Sequence, residues 1–136
     1  MHKTVVLIDD DSDDLDLMRE SLTQVDSSIN CVSFVFAEEA IRLLTKELIL
    51  LPDYIFIDIN MPKLDGMECL KQLRSIPEFR ETPIIMCSTS MPSTVSEQLI
   101  KQGATYTFQK PNTVGAYLTI LEGIIFSALT PYRHIK

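Results

Sequence analysis

Five short apolar runs recur along the chain, and a segment with helical spacing of apolar residues follows each of them. Runs of this length, almost continuously apolar, are typical of strands that are buried on both faces. Strands that alternate with helices predict a parallel sheet with helices on both sides. The predicted strands are residues 4–8, 31–36, 54–57, 83–87 and 105–109. The fold class is therefore α/β, built from five βα units.

Capping residues and breakers predict where the helices begin and end. We expect Ser12 and Asp65 to be N-caps, Gly103 to be a C-cap, and Pro52 to follow a helix over residues 37–48. Apolar residues at helical spacing predict a last helix over residues 114–125, and we expect the polar residues 131–136 to be frayed. We expect residues 1–136 to form one domain, with its core in 3–129 and a tail over 130–136.

Composition excludes several classes of function. The 136 residues carry a net charge of −7, which disfavours nonspecific binding to nucleic acid. No apolar run reaches the roughly 20 residues of a membrane span, and residues 1–3 lead into a strand without the pattern of a signal peptide. The three cysteines are odd in number and widely spaced, so we expect small buried thiols in a reducing cytoplasm.

Acidic side chains follow two of the predicted strands. Asp58 comes directly after residues 54–57, and Asp9 and Asp10 come directly after residues 4–8. The carboxyl ends of the strands in an open α/β sheet are where such folds bind ligands. Two strand ends that carry acids can meet in space and hold a divalent cation.

Further motifs at strand ends give the chain a family resemblance. The sequences are Ile-Asp-Asp-Asp-Ser at 8–12, Asp-Ile-Asn-Met-Pro-Lys-Leu-Asp-Gly at 58–66, Pro-Ile-Ile-Met-Cys-Ser-Thr-Ser at 83–90, Gly-Ala at 103–104 and Lys-Pro at 110–111. With these motifs in this order, residues 3–129 resemble the receiver domains of two-component response regulators, in particular stand-alone receivers like the chemotaxis regulator. The resemblance implies a flavodoxin-like fold with a parallel sheet of order 2-1-3-4-5.

The resemblance also implies roles for single residues. Asp58 falls on the phosphoacceptor, and a carboxylate can attack phosphorus to give an acyl phosphate. Asp9 and Asp10 fall on the acidic pair that, with Asp58 and the backbone carbonyl of Asn60, binds Mg²⁺ or Mn²⁺. Lys110 falls on the active-site lysine, which pairs with the acceptor and later with a phosphoryl oxygen.

Other positions of the family pattern concern switching. Ser88 falls on the hydroxyl that hydrogen-bonds the phosphoryl group, with Thr89 and Ser90 as competitors for that role. With Asn60, Ser90 occupies a position that modulates the lifetime of the phosphoryl group. Thr107 stands where receivers usually have a switch Tyr or Phe, so signalling through the surface of the fourth helix, fifth strand and fifth helix is expected to use a loop shift. The family also predicts a cis bond between Lys110 and Pro111.

The remaining acids and histidines have simpler interpretations. We expect Asp13, Asp14 and Asp16 to be solvated residues at the start of a helix, where the helix dipole favours acids. Asp11 is expected to be a loop acid beside the site. His2 and His134 are expected to be solvated at frayed ends.

The predicted function is that of a single-domain response regulator. It accepts a phosphoryl group from a histidine kinase or phosphotransfer protein and signals through protein contacts or passes the group on. It is not expected to be an enzyme in the ordinary sense, and it is expected to be a monomer or to dimerise weakly through the fourth helix, fifth strand and fifth helix. A docking module that works without phosphate is the alternative.

Two unrelated functions have partial matches in the sequence. Asp9 and Asp11 form a formal Asp-x-Asp, as in phosphatases of the haloacid-dehalogenase type, but those enzymes need a longer chain. Asp9, Asp11, Asp13 and Glu20 match positions of a calcium-binding EF-hand loop, but Asp14 stands where that loop needs glycine.

Overall fold

The predicted alternation of strands and helices is present throughout the computed structural model, which describes residues 3–46, 51–61, 64–126 and 129–136. The strands are β1 (Thr4–Ile8), β2 (Asn30–Phe34), β3 (Tyr54–Asp58), β4 (Ile84–Ser88), β5 (Tyr106–Gln109) and β6 (Arg133–Ile135). The helices are α1 (Ser12–Val25), α2 (Ala37–Thr45), α3 (Gly66–Arg74), α4 (Ser93–Lys101) and α5 (Val114–Ile125), with a 3₁₀ turn at Pro77–Phe79.

The strands form one parallel sheet of order β2-β1-β3-β4-β5-β6. The first five strands have the order 2-1-3-4-5 that the family resemblance implied, and the flavodoxin-like fold is confirmed. All the strands end at the same edge because they run in the same direction. Residues that follow the strands are therefore neighbours in space.

The sixth strand corrects the expectation of a frayed tail. Thr107 of β5 is opposite His134 of β6, and the amide of Tyr132 donates to the Thr105 carbonyl oxygen at 2.6 Å. The Tyr106 hydroxyl donates to the Leu129 carbonyl oxygen at 2.9 Å. These bonds hold a polar segment that has no hydrophobic periodicity, which is why its sequence gave no strand signal.

Two apolar layers cover the sheet, and alternate strand residues enter each of them. One layer joins the sheet to α2, α3 and α4 and includes Ile8, Ile57 and Met86. The other joins it to α1 and α5 and includes Phe56, Phe108 and Tyr117, whose rings meet edge to face at 6.5 and 6.1 Å. None of the helices in the described parts of the chain combines the length and apolar character needed to span a bilayer.

The helix ends agree with most of the predicted caps. Asp65 caps α3 by accepting from the Glu68 amide, and Gly103, just beyond α4, has a φ of 107°, which favours glycine. The N-cap of α1 is Asp11 rather than Ser12, because the Asp11 carboxylate accepts from the amides of Asp13 and Asp14. The predicted end of α2 at residue 48 lies outside the described residues, as do His2, Pro62 and Lys63.

Candidate functional site

Three carboxylates converge where β1 and β3 end. Asp9, Asp10 and Asp58 each offer an oxygen within 4.8 Å of the others. Asp9 and Asp58 are buried, and Asp10 is exposed. The parallel register of β1 and β3 produces this cluster, since Ile8 is directly opposite Ile57 and an acid follows each of them.

The side chain of Lys110 reaches into this cluster from the end of β5. Its Nζ lies 2.6 Å from Asp9 Oδ2, 2.8 Å from Asp14 Oδ2 and 3.4 Å from Asp58 Oδ1. The Lys110 amide donates to the Ser88 carbonyl oxygen at 2.8 Å, which fixes the start of the loop after β5.

The peptide bond between Lys110 and Pro111 is trans, so the prediction of a cis bond is wrong. A trans bond is the intrinsic preference of X-Pro by about 0.5–1 kcal/mol. The Lys110 ammonium reaches its three carboxylates with this geometry.

Burial and charge shift the pKa values of these groups in a consistent way. Burial raises the pKa of Asp58 to about 6, although the Lys110 charge opposes the shift. Burial also raises the pKa of Asp9. For Lys110, burial alone would lower the pKa, but interactions with the surrounding groups, which include Cys87 and the hydrogen-bonded Asp14 and Asp9, raise it. Lys110 therefore stays charged, and the carboxylates are ionised at a free-energy cost.

The cluster fits a hard divalent cation. Its donors are all oxygens, the ligand type that Mg²⁺ and Mn²⁺ prefer. Within the part of the chain that the structure describes, Lys110 pairs with Asp9, Asp14 and Asp58, and Asp10 lies beside Asp9 and Asp58. A divalent ion would offset the excess of negative charge among these groups. Asp9, Asp10 and Asp58 are the side chains that would hold such an ion.

Asp14 is the residue of this site that the sequence interpretation missed. It was expected to be solvated at the start of α1, but its carboxylate is half-buried and hydrogen-bonds to Lys110. Helical spacing in the sequence was sufficient to place Asp14 on the buried side of this helix. Asp14 stands four residues before Met18 and seven before Ser21, both buried, so it lies on the inner face of α1.

Ser88 lies beside the carboxylates at the end of β4. Its Oγ accepts from Asn60 Nδ2 at 3.0 Å and from the Ser90 amide at 3.3 Å, and its side chain is buried. Thr89 and Ser90 are exposed, so Ser88 is the hydroxyl that faces into the protein among the three candidates. Asp58 is opposite Cys87 in the sheet, one residue before Ser88.

Thr107 belongs to a different set of contacts. Its side chain is fully buried in β5, and its Oγ1 lies 2.8 Å from Ser96 Oγ on α4 and 2.8 Å from His134 Nδ1 on β6. The expectation that His134 is solvated at a frayed end is therefore wrong. The strand pairing that orders the tail also brings the imidazole against Thr107.

Gly66 sets the distance between α3 and the loop after β3. Its amide donates to the Ile59 carbonyl oxygen at 2.9 Å. A Cβ at this position would lie 2.5 Å from the Asp58 carbonyl oxygen and 2.6 Å from the Ile59 Cα. Only glycine allows the helix to approach the backbone of Asp58 this closely.

Neither a calcium-binding EF-hand nor an Asp-x-Asp phosphatase site fits this geometry. Asp13 and Glu20 lie within helix α1, whereas an EF-hand supplies its ligands from a loop. The Asp11 carboxylate caps α1, so it does not join Asp9 as the second acid of an Asp-x-Asp pair.

Comparison with known proteins gives a consistent set of relatives. The model of the family described as the response regulator receiver domain matches residues 5–122. A protein-glutamate methylesterase/protein-glutamine glutaminase of Chromobacterium violaceum is 33% identical over 109 residues, which are 78% of this chain and 29% of that protein. The sensor histidine kinase CheAY of Helicobacter pylori is 30% identical over 115 residues, which are 85% of this chain and 14% of that protein. The chain thus spans less than a third of the length of either of these relatives.

Solved structures agree with the fold. The phosphorylated cyanobacterial phytochrome response regulator RcpA superimposes with a TM-score of 0.83 at 26% identity, covering 96% of this chain and 99% of that one. The chemotaxis response regulator CheY4 of Vibrio cholerae superimposes with a TM-score of 0.76 at 26% identity, covering 91% and 99%.

Proposed function

The chain belongs to the response regulator receiver domain family, and we propose that it accepts a phosphoryl group on Asp58 and signals through the state of that residue. The donor would be the phosphohistidine of a sensor kinase or phosphotransfer protein. The observation that carries the proposal is the cluster of Asp9, Asp10 and Asp58, in which the ammonium group of Lys110 approaches Asp9 and Asp58. The similarity to RcpA, whose solved structure is of the phosphorylated protein, supports it.

The proposed step is a direct transfer. A carboxylate oxygen of Asp58 attacks phosphorus, a P–O bond forms, and the P–N bond of the phosphohistidine breaks, leaving its electron pair on the imidazole nitrogen. With a pKa of about 6, Asp58 is mostly ionised near neutral pH and can act as the nucleophile. Its burial keeps competing water away.

The neighbouring residues have separate tasks in this proposal. Asp9 and Asp10, with the Asn60 carbonyl, hold Mg²⁺ or Mn²⁺, and receiver domains bind such an ion. When bound, the ion offsets the negative charge that builds up on the transferred group. Lys110 supplies a cation to the same group, and its distances of 2.6 Å to Asp9 and 3.4 Å to Asp58 support this role.

Ser88 is proposed to hydrogen-bond the phosphoryl group once it is present. Its hydroxyl is positioned by Asn60 and by the Ser90 amide, which supports a role in sensing changes at Asp58. Ser90 and Thr89 lie on the exposed side of the same loop and would modulate how long the phosphoryl group survives. This loop leads directly into α4, so a shift of Ser88 would be passed to that helix.

The output is proposed to be a change in contacts with a partner protein or onward transfer of the phosphoryl group. Self-assisted phosphoryl transfer is the only chemistry proposed, in a single domain in the cytoplasm, as a monomer or a weak dimer through α4, β5 and α5. One observation favours the alternative of a docking module that works without phosphate. Thr107 replaces the usual aromatic switch, and its hydroxyl is already engaged by Ser96 and His134.

The test is a phosphorylation assay with acetyl phosphate and Mg²⁺, followed by intact-mass spectrometry. We expect the protein to gain the mass of one phosphoryl group and the Asp58→Asn variant to gain none. Asp16→Asn is the matched control, since it removes an exposed acid of α1. An unmodified wild-type protein, or equal labelling of Asp58→Asn, would refute the proposal and favour the docking module.

A further inference from the structure

The Lys110 ammonium is shared unequally among three acids. Asp9 and Asp14 lie at hydrogen-bond distance, at 2.6 and 2.8 Å, whereas Asp58 lies at 3.4 Å. An ammonium group has three N–H donors, and two of them are therefore used by acids other than the proposed acceptor.

We propose that Asp14 is a positioning residue that holds Lys110 in the resting protein and competes with a phosphoryl group on Asp58 for it. This inference rests on the proposed function. Asp14 comes from the first turn of α1, where the cap formed by Asp11 fixes the backbone beneath it. It thus approaches the ammonium from a different element than either Asp9 or Asp58 does.

The exposure of its side chain identifies Asp14, rather than Asp9, as the acid from which Lys110 would separate. The side chain of Asp14 is 28% exposed, and that of Asp9 is 7% exposed. If Lys110 moves toward phosphoryl oxygens, the Asp14 carboxylate can be hydrated, whereas a buried Asp9 carboxylate without its partner would be strongly destabilised. Asp9 is also one of the residues proposed to hold the metal ion. Exchange of Asp14 for a phosphoryl oxygen should therefore cost less free energy than exchange of Asp9.

The consequence is a bias toward the unphosphorylated state. The Asp14–Lys110 hydrogen bond stabilises the resting arrangement, and it must be broken or weakened when the phosphoryl group takes the ammonium. Asp14 also adds a negative charge near an incoming anion. Removing the carboxylate should thus favour binding of a phosphoryl group or of its mimic.

The experiment measures beryllofluoride binding in the presence of Mg²⁺ by ¹⁹F NMR, with wild type, Asp14→Asn and Asp13→Asn. Asp13 is the matched control, because it is an exposed acid in the same helical turn and its loss changes the net charge equally. We expect Asp14→Asn to lower the dissociation constant roughly three- to tenfold relative to Asp13→Asn, the range for loss of a partly exposed charged hydrogen bond. Asp14→Glu keeps the charge and should return the constant toward the wild-type value.

A second readout separates positioning from a merely structural role. The ¹⁵Nζ signal of Lys110 should shift in the Asp14→Asn resting protein toward its position in the beryllofluoride complex. If Asp14 only stabilises α1, that variant will unfold at lower urea concentration but will bind beryllofluoride as Asp13→Asn does.

The outcomes separate this inference from the proposed function. Equal constants for the two Asn variants, or weaker binding by Asp14→Asn, would overturn the competition between Asp14 and the phosphoryl group and leave the proposed function standing. No beryllofluoride binding by the wild-type protein would overturn both.

Discussion

Thr107 Oγ1 lies 2.8 Å from His134 Nδ1, and this contact ties the middle of β5 to the last strand of the sheet. The same hydroxyl lies 2.8 Å from Ser96 Oγ, so one buried oxygen links β5 with α4 and β6. Receivers usually have a large aromatic side chain at the position of Thr107. Here Thr107 is hydrogen-bonded to both Ser96 and His134, and these three polar side chains connect α4 with the C-terminal residues.

Loss of the Thr107 hydroxyl should loosen β6. Thr107→Val keeps the shape of the side chain but leaves Ser96 and His134 without this partner, which should lower the free energy of unfolding by about 1–3 kcal/mol. Hydrogen exchange at residues 133–135 should become faster than in wild type, as measured by mass spectrometry. Thr119→Val, in which an exposed hydroxyl of α5 is removed, should leave exchange in β6 unchanged. Equal exchange in wild type and Thr107→Val would show that the hydroxyl does not hold the strand.

A methyl group at Gly66 should disturb the backbone at the end of β3. The added carbon of Gly66→Ala would lie 2.5 Å from the Asp58 carbonyl oxygen, so α3 or the loop must move. We expect the free energy of unfolding in urea to fall by about 1–3 kcal/mol, the usual range for overpacking. We also expect slower phosphorylation. Gly115→Ala is the control, because a Cβ there meets no atom within 4 Å and lies in α5. It should stabilise the protein by about 0.5–1 kcal/mol. A neutral effect of Gly66→Ala would contradict the close approach.

The stability of the metal-free protein should depend on the ionisation of Asp58. Its folded pKa of about 6 lies above the ordinary value of 3.8. The folded state therefore binds the proton on Asp58 more tightly than the unfolded state does. The stabilisation that this proton contributes is fully present below about pH 3.8 and is lost as the pH rises through about 6. The pKa of Asp9 is also raised in the folded protein. The measurement is urea unfolding in the presence of a chelator. The free energy of unfolding of Asp58→Asn, relative to that of wild type, should rise by about 2–3 kcal/mol between pH 4 and pH 7.5. A constant difference across this range would contradict a raised pKa of Asp58 in the folded protein.

The affinity for a divalent metal ion should rise with pH, whereas the stability contributed by protonated Asp58 falls. Mg²⁺ binds the ionised carboxylates, so its affinity should rise as the pH increases through about 6 and then level off. Calorimetric titration at pH 5, 6 and 7.5 should show this rise in wild type. Asp9→Asn should bind Mg²⁺ at least about tenfold more weakly at pH 7.5, because it removes one of three clustered ligands. Asp16→Asn should bind normally, and an Asp9→Asn protein with unaltered affinity would place the ion elsewhere.

Particular residues show which features the sequence predicted. The apolar runs predicted five strands, and their bounds agree with the structure to within two residues because burial on both faces leaves a clear pattern. Asp9, Asp10, Asp58 and Lys110 come together because each lies at or just beyond the carboxyl end of a strand of one parallel sheet. The order of those strands came from the family resemblance, since periodicity carries no information on which strands pair.

The features that were missed depend on tertiary contacts. β6 is short and polar, and the hydrogen bonds to Thr105 and Thr107 that hold it are far away in sequence. Helical spacing places Asp14, unlike Asp16, on the inner face of α1, but its hydrogen bond to Lys110 depends on a residue 96 positions away in the chain. Asp11 rather than Ser12 caps α1 because helix boundaries shift easily by one residue.

The central claim is that Asp58 itself receives the phosphoryl group, and mapping the modified residue tests it most directly. Wild-type protein is treated with acetyl phosphate and Mg²⁺ and then reduced with borohydride, which converts a phosphoaspartate to homoserine, and its peptides are sequenced by tandem mass spectrometry. We expect homoserine at position 58 and at no other acid of the chain. Homoserine at position 9, 10 or 14 with Asp58 unmodified would contradict it.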